Sequence, residues 1–235
     1  MRSDRKTATL VGVLFIVADI VGVLSLVLMG RILDDPGALA KIATSHDRLV
    51  AGALLVVVLG LTLAMIPILM YPIFRRYDEA LALACVVFRG AIETVTYIVS
   101  AIVILTIAEL GQEYAGGSAS GPAPQTLVVL LRSVQGSIAA DIIAIVFSVG
   151  AAIFYYLFFR SRLIPRWLSI WGLVGAGLYL AASLLELFGS PFGALMAPLG
   201  LQELVLAVWL IVRGFDTPPD YALEIAVVQP GRTSA

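Results

Sequence analysis

The chain has 235 residues, of which 60% are hydrophobic and only 13% are charged, and its mean hydropathy is +1.02. Soluble domains average about 25% charged and about 45–50% apolar residues, so this composition excludes an ordinary soluble domain and indicates an integral membrane protein. The net charge of −1 identifies no partner by itself, because the informative property is where the charges lie.

Six segments are apolar and long enough to cross a bilayer as helices, because a span takes roughly 20 predominantly apolar residues and an isolated strand cannot satisfy its backbone in lipid. The predicted spans are residues 8–30, 48–73, 80–110, 126–159, 167–188 and 194–213. Arg2, Arg5 and Lys6 precede the first span as in a signal peptide, but this span is too long for one and lacks a clear cleavage site. We therefore expect the first span to be retained.

The predicted fold class is all-α, a polytopic integral membrane protein in which residues 1–214 form a six-helix transmembrane bundle. Span two contains Pro67 and Pro72, which predict a kink or an early end on its cytoplasmic side. Residues 215–235 are rich in proline and are predicted to form a disordered cytoplasmic tail.

The distribution of lysine and arginine predicts how the bundle is oriented. With a cytoplasmic N-terminus, that side carries Arg2, Arg5, Lys6, Arg75, Arg76, Arg160, Arg162, Arg166, Arg213 and Arg232. The opposite side carries Arg31, Lys41 and Arg48 outside the spans. Because basic loops stay in the cytoplasm, both termini are predicted to be cytoplasmic. Three arginines lie at the inner interface: Arg160, Arg162 and Arg166. They either contact anionic lipid headgroups or only anchor and orient the bundle in the membrane.

Span three carries two opposite charges, Arg89 and Glu93, inside an otherwise apolar segment. Its large apolar residues favour insertion by roughly 5 kcal/mol, whereas each charge near the bilayer centre costs about 2.5–3.5 kcal/mol. The two charges therefore cancel most of the gain. Span three requires relief from the attraction between Arg89 and Glu93 at helical i,i+4 spacing, from partners on other spans, or from water.

Polar residues form a stripe along one face of several spans, as expected of groups that face the bundle interior or a wet cavity. The stripe of span three is Arg89, Glu93, Thr96 and Ser100. The stripe of span four is Ser133, Ser137, Asp141 and Ser148, and that of span five is Ser169, Gly172, Ala176, Tyr179, Ser183 and Glu186. Spans one and six contribute Asp19, Gln202 and Glu203. Span two lacks a buried charge and is predicted to lie at the periphery.

Carboxylates inside the spans outnumber the basic residues there. The deep acids are Asp19, Glu93, Asp141 and Glu203, with Glu109 and Glu186 near the outer face, and the basic residues are Arg89 and, near the outer end of span four, Arg132. Some carboxyl groups must therefore be protonated, hydrated or bound to a cation. We predict a ligand or ion site formed by Asp19, Arg89, Glu93, Asp141 and Glu203, with a secondary polar lining of Thr96, Ser100, Ser137, Tyr179, Ser183 and Glu186. The alternative is that these groups are a structural clamp and ordinary contacts between helices.

Residues typical of catalysis and metal binding are scarce. The chain has one histidine, His46, and one cysteine, Cys85, which are too few ligands for a zinc site built from these residue types. The sequence also has no H-E-x-x-H motif. The segment GLVGAG at 172–177 follows no strand, so it does not predict a phosphate loop, and its glycines are expected to allow close helix approach. We predict no enzymatic activity, no metal and no cofactor. Without a basic patch beyond the interface arginines, no nucleic-acid partner is predicted.

Two motifs carry a family resemblance. They are RSRLIPRWLSIWGLVGAGLYL at 160–180, with an arginine-rich turn into span five, and PLGLQELVLAVWLIVRGF at 198–215. With the R-x-x-x-E of span three and the six-span layout, the chain resembles the bacterial multi-pass membrane proteins of domain of unknown function 4386 over about residues 5–215. The resemblance implies a bacterial plasma-membrane protein and no assigned activity. On the matching pattern, the recurrent family positions are Glu93, Pro165, Arg166 and Glu203.

These features favour binding or transport of a small molecule or ion, either alone or coupled to protons. Spans one to three and four to six have opposite topology, as inverted repeats require. The alternative is a non-catalytic accessory or sensing protein with structural buried charges, and a lipid-modifying enzyme is the less favoured third interpretation. The expected partners are the lipid bilayer and a small ligand, and the sequence is compatible with an oligomer.

Overall fold

The computed structural model of the chain describes residues 2–30, 32, 38–117, 122–190 and 192–216, without the side chains of residues 2, 3, 38, 122 and 137–140. This part of the chain is helical and contains no strand. Its α-helices are α1 (Arg2–Met29), α2 (Ala38–Thr44), α3 (His46–Phe74), α4 (Glu79–Cys85), α5 (Glu93–Ala115), α6 (Pro122–Ser133), α7 (Ala140–Ser161), α8 (Arg166–Leu187) and α9 (Ala197–Val212). The predicted disordered tail lies outside the described residues from position 217 onward.

Six helical segments are long and apolar enough to cross a membrane, which confirms the predicted transmembrane bundle. Spans one to six are Asp4–Met29, His46–Phe74, Glu79–Ala115, Ala123–Ser161, Arg166–Leu187 and Gly193–Val212. Spans three and four each contain a π-helical segment, which makes a wider turn than an α-helix; these segments are Val86–Ile92 and Val134–Ala139.

The early end predicted for span two is wrong. α3 continues through Pro67 and Pro72 to Phe74. Pro67 is buried and faces Gly90 of span three, whose missing side chain leaves room for the proline ring. Prolines are tolerated in membrane helices because neighbouring helices and local adjustments satisfy the freed backbone groups.

The spans form a ring in which each packs against the next along the chain and span six packs against span one. Glycines set the closest approaches. A Cβ at Gly12 would lie 2.6 Å from the carbonyl oxygen of Ala207, so glycine is what lets α1 and α9 meet there. In the glycine-rich segment of span five, Gly172 leaves room for the Tyr155 ring, which confirms the expected close helix approach.

Span two packs against spans one and three and is buried to the same extent as span five, so the prediction that it is peripheral is wrong. α3 buries Leu63, Ile66 and Met70 in a core that also contains Phe15 of α1 and Phe154 of α7. The absence of a buried charge does not predict a peripheral position for a span, because lipid tails are as apolar as leucine. An apolar helix can therefore pack in the interior as readily as it faces lipid.

Arginines gather at one end of the bundle, called here the basic end: Arg5, Arg75, Arg76, Arg160, Arg162, Arg166 and Arg213. The first and last spans meet there. The Arg5 guanidinium donates to the carbonyl oxygens of Ile211 at 3.2 Å and Val212 at 2.9 Å, and to that of Arg213. The last carbonyls of a helix have no partner within it, and a positive charge is favourable at that end of the helix dipole. Arg5 therefore fastens α1 to the end of α9.

A second ion pair at the basic end joins spans three and four. Asp78 caps α4 by accepting a hydrogen bond from the Leu81 N–H at 3.0 Å, and it contacts Arg160 at 2.5 Å. The Leu81 N–H and the Arg160 guanidinium lower the pKa of Asp78 below its ordinary value. Both side chains are partly exposed, so solvent screens this pair and it contributes little to stability.

Replacing Arg5 by methionine is expected to destabilise the bundle by about 1–2 kcal/mol, because the carbonyls of α9 lose charged donors. The free energy of unfolding in mixed detergent micelles measures this effect. Arg76→Met is the matched control, since the exposed Arg76 side chain makes no hydrogen bond or ion pair with the described residues. Equal stability of the two variants would contradict the role assigned to Arg5.

Candidate functional site

Arg89 lies in the middle of the bundle with no exposed surface. It belongs to the π-helical segment Val86–Ile92, and segments of this kind often occur at functional sites. Its guanidinium carbon lies 4.7 Å from the ring centroid of Phe147, 5.6 Å from that of Phe154 and 5.9 Å from that of Phe15. Cation–π attraction to aromatic faces partly replaces the hydration that Arg89 gives up on burial.

The closest partner of Arg89 is Glu203 on α9. The Arg89 Nη2 donates to Glu203 Oε1 at 2.6 Å, whereas the Arg89 Nη1 lies 3.8 Å from Glu93 Oε2. The Glu93 contact is thus electrostatic without a hydrogen bond, and both Glu93 oxygens are buried without a hydrogen-bond partner among the described residues. Tyr155 donates its hydroxyl to the same Glu203 oxygen at 3.4 Å. Spans three, four and six therefore meet at one carboxylate.

Gly150 allows α7 to pack directly on the backbone of Arg89. A Cβ at position 150 would lie 2.9 Å from Arg89 Cβ and 3.0 Å from Arg89 Cα. Phe147 and Phe154 flank Gly150 at helical spacing, three residues before it and four after it, so the close approach brings both rings to the guanidinium.

A cavity of about 330 Å³ lies beside the ion pair near mid-membrane depth. All six spans contribute to its wall: Ala18, Asp19, Gly22, Val23, Leu59, Leu63, Tyr97, Ile143, Ala144, Phe147, Tyr179, Gly200 and Glu203. Asp19 and Glu203 therefore both line this cavity, and Glu203 links the cavity to Arg89.

Asp19 faces this cavity rather than the surrounding lipid. It lies on the same face of α1 as Gly12 and Phe15, which pack into the bundle, and it is exposed because the cavity is open. Val23, one turn further from the basic end, also lines the cavity and is 61% exposed. The cavity wall is therefore open beside Val23, on the side of Asp19 that lies away from the basic end.

Toward the basic end the cavity is closed by an aromatic layer. Beyond Arg89 the buried rings pack against one another with centroids 4.8 to 6.1 Å apart: Phe15, Phe74, Phe154 and Phe158. The close contact of α1 and α9 at Gly12 lies at the same level. The wall is thus open near Val23 and Gly200 and is covered by packed rings toward the basic end.

Several residues of the predicted secondary lining bond to backbone instead. The Thr96 hydroxyl donates to the carbonyl of Glu93 at 2.6 Å, and the buried Ser183 hydroxyl donates to that of Tyr179 at 3.0 Å. Ser100 is buried and exchanges hydrogen bonds with the Gln135 side chain of span four. Among the side chains of this set that the structure describes, Tyr179 lines the cavity.

Asp141 and Glu186 do not line the cavity. Asp141 is buried on α7 but does not line it, and the side chain of Ser137 lies outside the described residues. Glu186 is exposed at the end of α8, so its predicted place in the lining is wrong, whereas Glu109 is exposed as expected of an acid near the outer face. Helical periodicity places Glu186 on the face of Tyr179, but the residue lies two turns further on, at the rim where neighbouring spans no longer cover that face.

Aromatic residues are the part of the site that the sequence did not reveal. Tyr97 and Phe147 line the cavity, and Phe15, Phe154 and Tyr155 surround the ion pair. The spacing of Phe147 and Phe154 is typical of any apolar face, so it carries no signal for cation binding. Their role depends on Arg89, which lies on another span.

The described residues contain no group of three or more His, Cys, Asp or Glu side chains that could hold a metal ion. A comparison with family models matches residues 10–214 to the family described as Domain of unknown function (DUF4386). No curated protein and no solved structure matches the chain.

Proposed function

The chain belongs to the DUF4386 family, and from its geometry we propose that it binds a small molecule or ion in the central cavity and transports it across the membrane. The observation that carries this proposal is that Glu203 belongs both to the cavity wall and to the buried ion pair. We propose that the protein lies in a bacterial plasma membrane, as the family resemblance implies, with both termini cytoplasmic, as the arginine distribution favours.

Glu203 supplies a physical link between occupancy and conformation. A cation or a proton that reaches its carboxylate competes with Arg89, whose contact with Glu203 joins spans three and six. A ligand shifts a conformational equilibrium by the difference between its affinities for the two states. Solute binding at Glu203 would therefore favour states in which these spans are less tightly joined.

The one-sided opening also supports transport. Alternating access requires a central site that is reached from one side at a time. The aromatic layer closes the path to the basic end, whereas the wall near Val23 and Gly200 is open. Proton-coupled transport is the form that buried carboxyl groups favour.

The second candidate function is a non-catalytic accessory or sensing role. It is favoured by the enclosure of Arg89 between aromatic rings and Glu203, which suits a structural clamp. Co-purification of one constant partner protein would support it. We propose no enzymatic activity, and the proposed surface partner is anionic lipid at the exposed side chains of Arg160, Arg162 and Arg166.

Charge movement in proteoliposomes tests the transport proposal. Concentration jumps with inorganic cations, amines, carboxylates and sugars should produce a displacement current for at least one solute class in the wild-type protein. Glu203→Gln should abolish it, and Glu186→Gln should retain it, since this exposed acid lies outside the cavity. Gel filtration checks that each variant is folded. Wild-type currents in both Glu203→Gln and Glu93→Gln would remove these residues from the mechanism.

Thiol labelling tests access to the cavity independently of the solute. Cys85 is the one native cysteine and is 1% exposed, so it provides a low background. A cysteine at Gly200, in the cavity wall, should react with a charged, membrane-impermeant methanethiosulfonate. A cysteine at Ala207, fully buried seven residues further along α9, should not react. Equal labelling at the two positions would contradict the described opening.

A further inference from the structure

We propose that the solute of this cavity is an organic monocation, such as a protonated amine, with the carboxylate of Asp19 as its charge partner. This inference deepens the proposed function and rests on it. It assigns a chemical class to the ligand and a role to a residue that takes no part in the ion pair of Arg89.

The charge balance around the cavity favours a cation. Three carboxylates lie at or behind its wall, those of Asp19, Glu93 and Glu203, against one guanidinium, that of Arg89. Arg89 is already engaged by Glu203 and Glu93, whereas Asp19 has no hydrogen bond or ion pair with any described residue. A positive ligand beside Asp19 would balance its carboxylate, whereas an anion would add a like charge to a wall that already carries Asp19 and Glu203.

The rest of the wall suits an organic cation rather than a metal ion. Aromatic rings of Tyr97, Phe147 and Tyr179 line the cavity, and rings of this kind attract ammonium groups through their faces. The hydroxyls of Tyr97 and Tyr179 make no hydrogen bond to the described residues, so they remain available to a ligand N–H. Divalent cations such as Ca²⁺ take about 6–8 oxygen ligands, more than two carboxylates and two phenols provide.

Two glycines keep the space beside the carboxylates open. Gly22 follows Asp19 by three residues on α1, and Gly200 precedes Glu203 by three residues on α9. A Cβ at Gly200 would meet nothing within 4 Å, and one at Gly22 would lie 3.6 Å from Leu59. Because α1 and α9 run in opposite directions, both glycines lie on the open side of the carboxylates. They outline an approach path between the two helices.

The size of the cavity limits the ligand to a small molecule. Its volume of about 330 Å³ is at the lower end of the range of about 300–1,000 Å³ found for ligand pockets. A suitable probe therefore has one charged nitrogen and a single ring. The 2-phenylethylammonium ion meets this description, and 2-phenylethanol and phenylacetate are its neutral and anionic counterparts of similar size.

Calorimetric titration of the protein in lipid nanodiscs tests the inference, with empty nanodiscs as the blank. We expect 2-phenylethylammonium to bind at least tenfold more tightly than 2-phenylethanol, and phenylacetate not to bind. Asp19→Asn should weaken ammonium binding at least tenfold and remove the preference over the alcohol. The matched control Glu186→Gln removes an exposed acid outside the cavity and should leave all three titrations unchanged.

Gly200→Leu provides a second variant that does not alter charge. Its side chain would fill the open space beside Glu203, so binding of both the ammonium and the alcohol should be lost. If Asp19→Asn does not fold, the preference of the wild-type protein and the effect of Gly200→Leu decide the question. Ammonium binding that survives Gly200→Leu would mean a site elsewhere and would overturn the inference.

The outcomes separate the ligand class from the proposed transport. Failure of 2-phenylethylammonium to bind, or binding equal to that of 2-phenylethanol, overturns the monocation inference. A Glu203-dependent current with other solutes would then leave transport standing. Conversely, Asp19-dependent ammonium binding without any Glu203-dependent current would uphold the ligand class and overturn transport in favour of sensing.

Discussion

Arg89→Met is expected to destabilise the folded protein by about 3–5 kcal/mol, the cost of removing one partner from a buried ion pair. The substitution leaves Glu203 and Glu93 in the core without their cation, and it removes the charge that contacts the aromatic rings. A neutral hydrogen bond between membrane helices contributes only about 0.6 kcal/mol. The larger value is expected because uncompensated carboxylates remain, rather than because a hydrogen bond is lost.

Unfolding in mixed detergent micelles, followed by the fluorescence of Trp167, Trp171 and Trp209, measures this effect. The triple variant Arg89→Met/Glu93→Gln/Glu203→Gln should recover at least half of the loss, since it leaves no charge of the cluster unpaired. Arg89→Lys should fall between wild type and Arg89→Met, because an ammonium keeps the charge but lacks the planar guanidinium.

Arg160→Met is the matched control for Arg89→Met. It breaks the ion pair with Asp78, in which the arginine side chain is 48% exposed, and should change stability little. An Arg89→Met protein as stable as Arg160→Met would show that the central pair does not stabilise the bundle.

Gly150→Ala is expected to destabilise the protein by about 1–3 kcal/mol, the usual cost of overpacking a core. The added methyl group would meet the Cβ, Cα and backbone nitrogen of Arg89 at 2.9 to 3.1 Å. Backbone atoms cannot rotate away as a flexible side chain can, so α7 itself must move. Phe147 and Phe154 would then move away from the guanidinium, and the transport current should fall together with stability.

Gly177→Ala is the control for this substitution. Gly177 is exposed in the middle of α8, and a Cβ there would meet nothing within 4 Å. Alanine should therefore be neutral or stabilise the helix by up to about 1 kcal/mol, because glycine loses more backbone entropy on folding. Loss of stability in Gly177→Ala similar to that in Gly150→Ala would mean that close approach to Arg89 is not the cause.

The outline of the protein could be predicted from the sequence because it depends on local properties. The length and hydropathy of each segment set the number and type of spans. Helical periodicity placed Arg89 and Glu93 on an inward face, and the positions of Asp19 and Glu203 within their spans placed both at mid-depth. Each of these inferences can be made from the sequence of a single helix, without knowing its neighbours.

What the sequence could not decide is which face meets which neighbour. It left the relief for Arg89 open between Glu93, partners on other spans and water, whereas folding brings Glu203, which is 114 positions away, to 2.6 Å. It placed span two at the periphery, although α3 packs in the ring and lines the cavity with Leu59 and Leu63.

The sequence by itself determined that six apolar helices cross the membrane and carry more acid than base. The tertiary structure decided that Glu203 is shared between Arg89 and a cavity, that Asp19 lines the same cavity without joining the ion pair, and that Gly150 and the aromatic rings hold the guanidinium in place. The physical reason is that lipid and leucine are equally apolar. Burial in a membrane therefore gives an apolar surface no preferred neighbour, and the pairing of helices depends on side-chain shape and on charges far apart in the chain.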